Sequence, residues 1–250
     1  MKILAITQAR IGSRRLFKKI LLKVKSKSLL EIHLERIMKS KKINKLMLAT
    51  TNELHVEKIT KICKKLDVNY YKGSTNNVLD RFYNASKDEN PDWIVRLTSD
   101  CPLIDPELID KIIDYVVSQD VDYGSNILIE KFPDGQDVEV FKFSALKKAW
   151  ENAKLQSDKE HVTTFIRNNS DFNKKKLFKA VNYLSKKDFS KIRMTVDHPE
   201  DFELIKILIN NLGLDKSWFE YTHYIINNNL QKINSDITRN EGLIKSLSND

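Results

Sequence analysis

The feature that most constrains this chain is a regular alternation of short apolar runs with helical patterns. Runs at 2–7, 46–50, 68–71 and 93–97 are each four to six residues long and read as buried strands. The stretches between them place apolar residues at helical spacing. Ser28-Leu29-Leu30-Glu31 has the form of a capping box and opens a helix with Leu30, Leu34, Ile37 and Met38 inward. Asn52 is expected to cap a second helix carrying Ile59, Ile62, Cys63 and Leu66 on one face. Residues 77–87 form a third, with Val78, Leu79, Phe82 and Tyr83 inward. Asp105-Pro106-Glu107 supplies an N-cap, a first-turn proline and a first-turn acid for a fourth, which buries Leu108, Ile112, Tyr115 and Val116. Strand–helix alternation of this kind predicts a parallel sheet covered on both faces.

After Gly124 the pattern changes. Residues 138–143 alternate and fit an antiparallel addition. Helices are expected near 144–155 and 158–168, strands at 177–183 and 192–196, and a helix from Pro199. The tail is helical with its own aromatic face of Trp218, Phe219, Tyr221 and Tyr224, which suits core packing or a homodimer contact. The expectation is one α/β domain over 1–212 with a helical extension, 213–250, packed on it.

At 250 residues, 41% of them hydrophobic, a single core needs no disulfide or structural metal. Cys63 and Cys101 sit in unrelated settings, so two free thiols and a reducing compartment are expected. The first apolar run is too short for a signal sequence and no stretch reaches the length of a membrane span, so a cytoplasmic, membrane-free protein is expected. The net charge of +9 is spread over most helices, which fits a solvated surface better than a nucleic-acid footprint.

In an open parallel sheet, ligands bind beyond the carboxyl ends of the strands. Three loops there carry unusual residues. The first, Gln8-Ala9-Arg10-Ile11-Gly12-Ser13-Arg14-Arg15-Leu16-Phe17-Lys18-Lys19, combines a permissive glycine, a hydroxyl and five cations. Backbone N–H groups with arginine and lysine make a cradle for a triphosphate. The second, Thr98-Ser99-Asp100-Cys101-Pro102, puts Asp100 where a carboxylate can hold Mg²⁺ between phosphates, with Thr98 beside it. The third, Thr195-Val196-Asp197-His198-Pro199, offers a second carboxylate for the same ion, although Asp197 could equally cap the following helix.

Softer candidates are Asp80 and Arg81 at the start of the third helix and His161 in Glu160-His161-Val162-Thr163. An acceptor pocket is expected from 124–165, with Gly124, Asn126, Glu139 and His161 as candidates. No residue set suggests an enzyme nucleophile or a zinc site.

Taken in order, these stretches resemble a known family. Gln8-Ala9-Arg10 … Gly12-Ser13 … Arg15-Leu16 … Lys19 is similar to the opening motif of the cytidylyltransferases that activate acidic sugars, such as CMP-KDO synthetase and acylneuraminate cytidylyltransferases. The branch named for the spore coat polysaccharide biosynthesis protein SpsF is the nearest in pattern. Gly73-Ser74 … Val78-Leu79-Asp80-Arg81, Arg96 to Pro106, Pro133-Asp134-Gly135 … Asp137-Val138-Glu139-Val140, Glu160 to Thr163 and Thr195 to Asp201 support it across about residues 1–210.

The resemblance implies a Rossmann-like nucleotide-diphospho-sugar transferase sandwich that moves CMP from CTP to an acidic or sugar-like acceptor with Mg²⁺ as cofactor. Gln8, Ala9, Arg10, Gly12, Ser13, Arg15 and Lys19 would bind triphosphate and ribose, and Arg81 would lie near the base. Asp100 and Asp197 would hold the ion, leaving Arg15, Lys19 and Asp100 to act on the reacting phosphate. Two departures stand out: Phe17-Lys18 replaces a usual Pro-Gly, and Ser99 replaces a common glycine. Rival readings are a nucleotide-sugar-dependent glycosyltransferase, for which Asp120-Val121-Asp122 has the metal-binding spacing, and a polyanion-binding module without catalysis.

Overall fold

The computed structural model describes residues 1–13, 15–248 and 250. Its strands are β1 (Ile3–Gln8), β2 (Lys23–Val24), β3 (Lys27–Ser28), β4 (Lys45–Thr51), β5 (Asn69–Gly73), β6 (Trp93–Thr98), β7 (Tyr123–Ser125), β8 (Glu139–Lys142) and β9 (Ala180–Asn182). Its helices are α1 (Leu29–Ile37), α2 (Glu57–Lys65), α3 (Val78–Ser86), α4 (Pro106–Ser118), α5 (Phe143–Asn152), α6 (Gln156–His161), α7 (Thr164–Asn168), α8 (Pro199–Leu212), α9 (Trp218–Asn227) and α10 (Glu241–Leu247).

Seven strands form one sheet in the order β5-β4-β1-β6-β8-β7-β9, and only β8 runs against the others. Leu4, Ala5 and Ile6 of β1 have no exposed surface, as a central strand between two helical layers requires. One face packs under α4, the other under α3 and α5. The chain winds from β1 to β4 and β5 on one side, then crosses to β6 on the other. The crevice at this reversal lies beyond Gln8 and Thr98, which are register partners.

Local chemistry explains most elements. Ser28 and Glu31 form the capping box of α1, and Asp105 caps α4 through Glu107 N (2.8 Å) and Leu108 N (3.2 Å). Asn77 caps α3. Asn52 caps nothing, because α2 begins later, at Glu57 after Val56. The segment expected as a 192–196 strand makes only a single bridge, Asp134 to Arg193. The loop before β8 lies flat on it: Gly135 sits at φ +101°, and a Cβ there would fall 2.6 Å from Met194 C and Thr195 N. The helix expected at 158–168 splits into α6 and α7 because Val162 takes φ 61°, a strained conformation for a β-branched residue.

Among the described residues no helix is long and apolar enough to cross a membrane. Beyond Leu212, Tyr221 and Ile225 are buried with α8, while Trp218 packs on Phe132 and Phe189. Phe219 remains 45% exposed. Both thiols are free and buried.

Candidate active site

The crevice brings together four residues from three distant stretches of the sequence. Lys19 follows a turn in which its N–H donates to Leu16 O (3.2 Å), and Lys18 adopts the left-handed region at φ 54°. Lys18 stands where the resembled family has glycine, so the turn survives at some strain. Lys19 Nζ then lies between two carboxylates, donating to Asp100 Oδ2 (2.9 Å) and Asp197 Oδ1 (2.6 Å). Arg15 Nη2 reaches the same Asp197 Oδ1 at 2.7 Å.

Burial works against the charge on Lys19, yet the two carboxylates raise its pKa above the usual value. Burial would likewise raise Asp100, but the Lys19 ammonium outweighs it and holds the carboxyl well below the ordinary range. The four side chains therefore form a closed set of ion pairs.

Neighbouring elements hold it in place. His33, on α1, is fully buried; its Nδ1 contacts Cys101 O (2.8 Å) and its Nε2 contacts Thr7 Oγ1 (2.8 Å). A carbonyl only accepts, so Nδ1 carries the hydrogen and Thr7 donates to Nε2. Burial lowers the His33 pKa to about 4, which keeps this neutral form. The ring thus ties the loop carrying Asp100 to the centre of the sheet. Asp197 N donates to Asp201 Oδ2 (2.9 Å), and Val196 N donates to Asp100 O (2.8 Å), which joins the two aspartate loops directly. Asp197 is not the helix cap: His198 occupies that position.

The first loop is spread along the crevice rather than gathered. Ala9 is buried, with its N–H on Ala49 O (3.2 Å). Arg10 is exposed and Gly12 N donates to Glu53 Oε2 (3.3 Å), while Ser13 N turns back onto Ile11 O (2.9 Å). Gln8 Oε1 and Arg81 Nε are buried and find no hydrogen-bond partner among the described residues. Arg81 Nη1 donates to Ser74 O (3.2 Å); burial, with Arg10 nearby, lowers its pKa to about 10. Thr98, at the end of β6, faces Cys101 Sγ at 3.2 Å. Asp80 instead accepts from the Trp150 indole (2.9 Å) and from Asn84.

Of the expected acceptor residues, two are engaged in packing and loop contacts. Gly124 lies within β7 under α4; a Cβ there would sit 2.3 Å from a Val116 methyl, so glycine serves helix–sheet packing. Asn126 is buried and ties its own loop, donating to Gln136 O (2.7 Å) and accepting from Val138 N (2.9 Å). Glu139 does anchor a polar cluster, accepting from Tyr123 Oη (2.7 Å), Thr163 Oγ1 and Arg96 Nη1. His161, held neutral by burial with a pKa lowered to about 4, meets Ser246 Oγ at 3.0 Å.

Composition and spacing gave no signal for Arg96, Tyr123 or the tail. Helix α10 crosses to this site: Glu241 Oε2 lies 3.1 Å from His198 Nε2 and 3.8 Å from Arg15 Nε. The rival Asp120-Val121-Asp122 is at the opposite end of the sheet, where both aspartates pair with Lys142 beside Trp93, the first residue of β6.

Comparison with known proteins bears on the family and the fold. The sequence model of a family described as Cytidylyltransferase matches residues 4–232, which take in both aspartate loops and all of the sheet but Ile3. An uncharacterized protein of Methanocaldococcus jannaschii is 45% identical over 206 residues, 82% of each chain. The spore coat polysaccharide biosynthesis protein SpsF of Bacillus subtilis is 33% identical over 216 residues, 84% of this chain and 88% of its own. A cytidylyltransferase structure from Leptospira borgpetersenii superposes with a TM-score of 0.86 at 33% identity, covering 95% of this chain and 98% of that one. The chain belongs to the cytidylyltransferase family and is a nucleotidyltransferase.

Proposed function

We propose that this enzyme transfers CMP from CTP to an oxygen of an acidic, sugar-like acceptor and releases pyrophosphate, with Mg²⁺ as cofactor. One observation carries the reading: Lys19 Nζ lies 2.9 Å from Asp100 and 2.6 Å from Asp197, so two carboxylates converge on a single cation-sized position. Both donors are hard oxygens, which suits Mg²⁺; that ion commonly uses one or two carboxylates and completes its shell with water and substrate phosphate. Among the described residues no group of three or more His, Cys, Asp or Glu could hold a metal. The ion would therefore enter with the nucleotide's phosphates, held by Asp100 and Asp197, and would supply charge neutralisation at the reacting phosphoryl group.

The chain's own residues would do the rest. Lys19 and Arg15, released from the aspartates, would bind the phosphate oxygens and steady the charge that grows on the leaving group. Buried, unpartnered atoms of Gln8 and Arg81 offer an acceptor and a donor for a pyrimidine edge, which supports CTP as the nucleotide. The acceptor oxygen gives up its proton to water and bonds to the α-phosphorus. The bond from that phosphorus to the bridging oxygen breaks, and pyrophosphate departs with the electron pair. No enzyme nucleophile is required. The Glu139 cluster and His161 would line the acceptor side, and the name of the Bacillus relative favours a precursor of a surface polysaccharide.

Pyrophosphate release from each of the four nucleoside triphosphates, with Mg²⁺ and a panel of keto-acid and amino-sugar acceptors, tests the proposal. CTP should support turnover with at least one acidic acceptor, and Asp100→Asn should lower that rate by about 100-fold or more. Wild-type turnover in Asp100→Asn would remove the metal role, and turnover with a different triphosphate alone would remove CTP.

A further inference from the structure

Asp197 divides its two oxygens between two kinds of partner. Oδ1 takes both loop cations, Lys19 (2.6 Å) and Arg15 (2.7 Å). Oδ2 faces Arg193, whose Nη2 lies 3.4 Å away. Lys19 and Arg15 belong to a surface turn, and the Arg15 side chain is 38% exposed. Arg193 is built in: its side chain is 8% exposed and every face of its guanidinium is engaged. Nη1 donates to Asp134 Oδ2 (2.6 Å), Nε to Asp201 Oδ1 (2.8 Å) and Nη2 to Asp201 Oδ2 (3.1 Å).

The same Asp201 accepts from the backbone N–H groups of Asp197 (2.9 Å) and His198 (3.0 Å), and Asn234 closes its remaining side at 2.9 Å. Asp134 is itself fixed, because Gly135 lets its loop lie directly on the Met194–Thr195 backbone. Two loops and the start of α8 thus converge on one guanidinium, which reaches past them to a single oxygen of Asp197.

We propose that Arg193 is a positioning residue that turns the Asp197 carboxylate so that Oδ1 faces the crevice and a divalent cation. This rests on the metal-binding reading of Asp197. When Lys19 and Arg15 move to phosphate, Arg193 is the cation that stays, because three carboxylates hold it. Lysine at this position would keep the charge but could not span Asp134, Asp201 and Asp197 together.

The test is a double-mutant cycle read by Mn²⁺ affinity in the presence of CTP, using the electron paramagnetic resonance signal of free Mn²⁺. Arg193→Lys should weaken Mn²⁺ binding roughly tenfold, as is usual when a group supporting a metal ligand is lost. In an Asp197→Asn background the same change should cost less than about twofold, because its route to the metal is already gone. CTP affinity measured without metal should stay within about twofold of wild type. Should Arg193→Lys fail to fold, Asp134→Asn releases one anchor of the guanidinium, and its loss of Mn²⁺ affinity should likewise vanish in the Asp197→Asn background. Equal losses in both backgrounds would reduce Arg193 to a structural residue and overturn the proposal, as would unchanged Mn²⁺ binding in Arg193→Lys. Wild-type Mn²⁺ affinity in Asp197→Asn alone would instead overturn the metal reading beneath it.

Discussion

Replacing Lys19 with methionine tests the central arrangement most directly. Methionine keeps the volume of the stem and deletes the ammonium. In the native site that ammonium is 13% exposed and pairs with two carboxylates. Removing one partner from a buried pair costs about 3–5 kcal/mol. Asp197 keeps Arg15 and Arg193, and the Asp100 side chain retains 28% exposure, so the expected loss is reduced to about 2 kcal/mol. In a chain of this size that lowers the melting temperature by about 4–8 °C. Mg²⁺ should then reverse the order of effects. In the parent it must displace the ammonium, whereas in Lys19→Met it meets an Asp100 that has lost its partner, so it should raise the melting temperature of the variant more.

The pH dependence has a definite sign. Asp100 is held below its ordinary pKa, so its contribution is complete above about pH 4 and is lost as acid protonates it below that. The gap between parent and variant should therefore close in acid. Thermal melts by circular dichroism, with and without Mg²⁺, measure all of this. A variant that melts within about 1 °C of the parent, or an equal Mg²⁺ shift in both, would refute the reasoning.

Other outcomes follow from single contacts. Burial lowers His33 and His161 to about 4, whereas an unfolded histidine titrates near 6.5, so the unfolded chain takes up protons first as the pH drops. Stability should fall between about pH 6.5 and 4, and His33→Gln should remove about half of that slope in urea melts. Lys18→Gly relieves a left-handed residue in the turn before Lys19 and should stabilise the protein by about 1 kcal/mol in the same assay. Gly135→Ala forces a Cβ to 2.6 Å from the Met194 backbone at φ +101°, and should cost about 2 kcal/mol or more, with turnover reduced through the displaced Asp134 and Arg193.

The parts of this molecule that were legible in its sequence are those set by neighbours in the chain. The capping box at Ser28, the Asp105 cap and the apolar runs of β1, β4 and β6 each depend on a few adjacent residues, and they form as read. Chain alternation also placed Asp100 at a strand end, and the ordered motifs identified the family. What stayed hidden depends on partners distant in the chain. His33 lies among the apolar residues of α1 and looks like a helix-face residue, yet its bonds reach Thr7 and Cys101. Arg193 sits in a segment read as a strand, where its meeting with Asp134 and Asp201 leaves no local trace. The packing of Gly124 against Val116 and the bonds of Asn126 to Gln136 and Val138 likewise depend on partners that no local pattern marks. Helix α10 lies past residue 232, where the family match ends, and its contacts with Arg15, His161 and His198 follow from where the tail folds back.

The charges of the site suggest why its cations are divided between a turn and a core. Lys19 and Arg15 neutralise the pair Asp100 and Asp197. CTP brings roughly four negative charges near neutral pH, and Mg²⁺ offsets two of them. On the proposed reading the ion also faces the aspartates, which frees both loop cations for the nucleotide. Counted together, these groups leave the loaded crevice with about two net negative charges, so neither loop cation can be spared from the phosphates. Such an exchange works only if the cations that move have a way out to solvent and the group orienting the aspartate stays fixed. Arg15 satisfies the first condition, with its side chain 38% exposed. Arg193, locked between Asp134 and Asp201, satisfies the second.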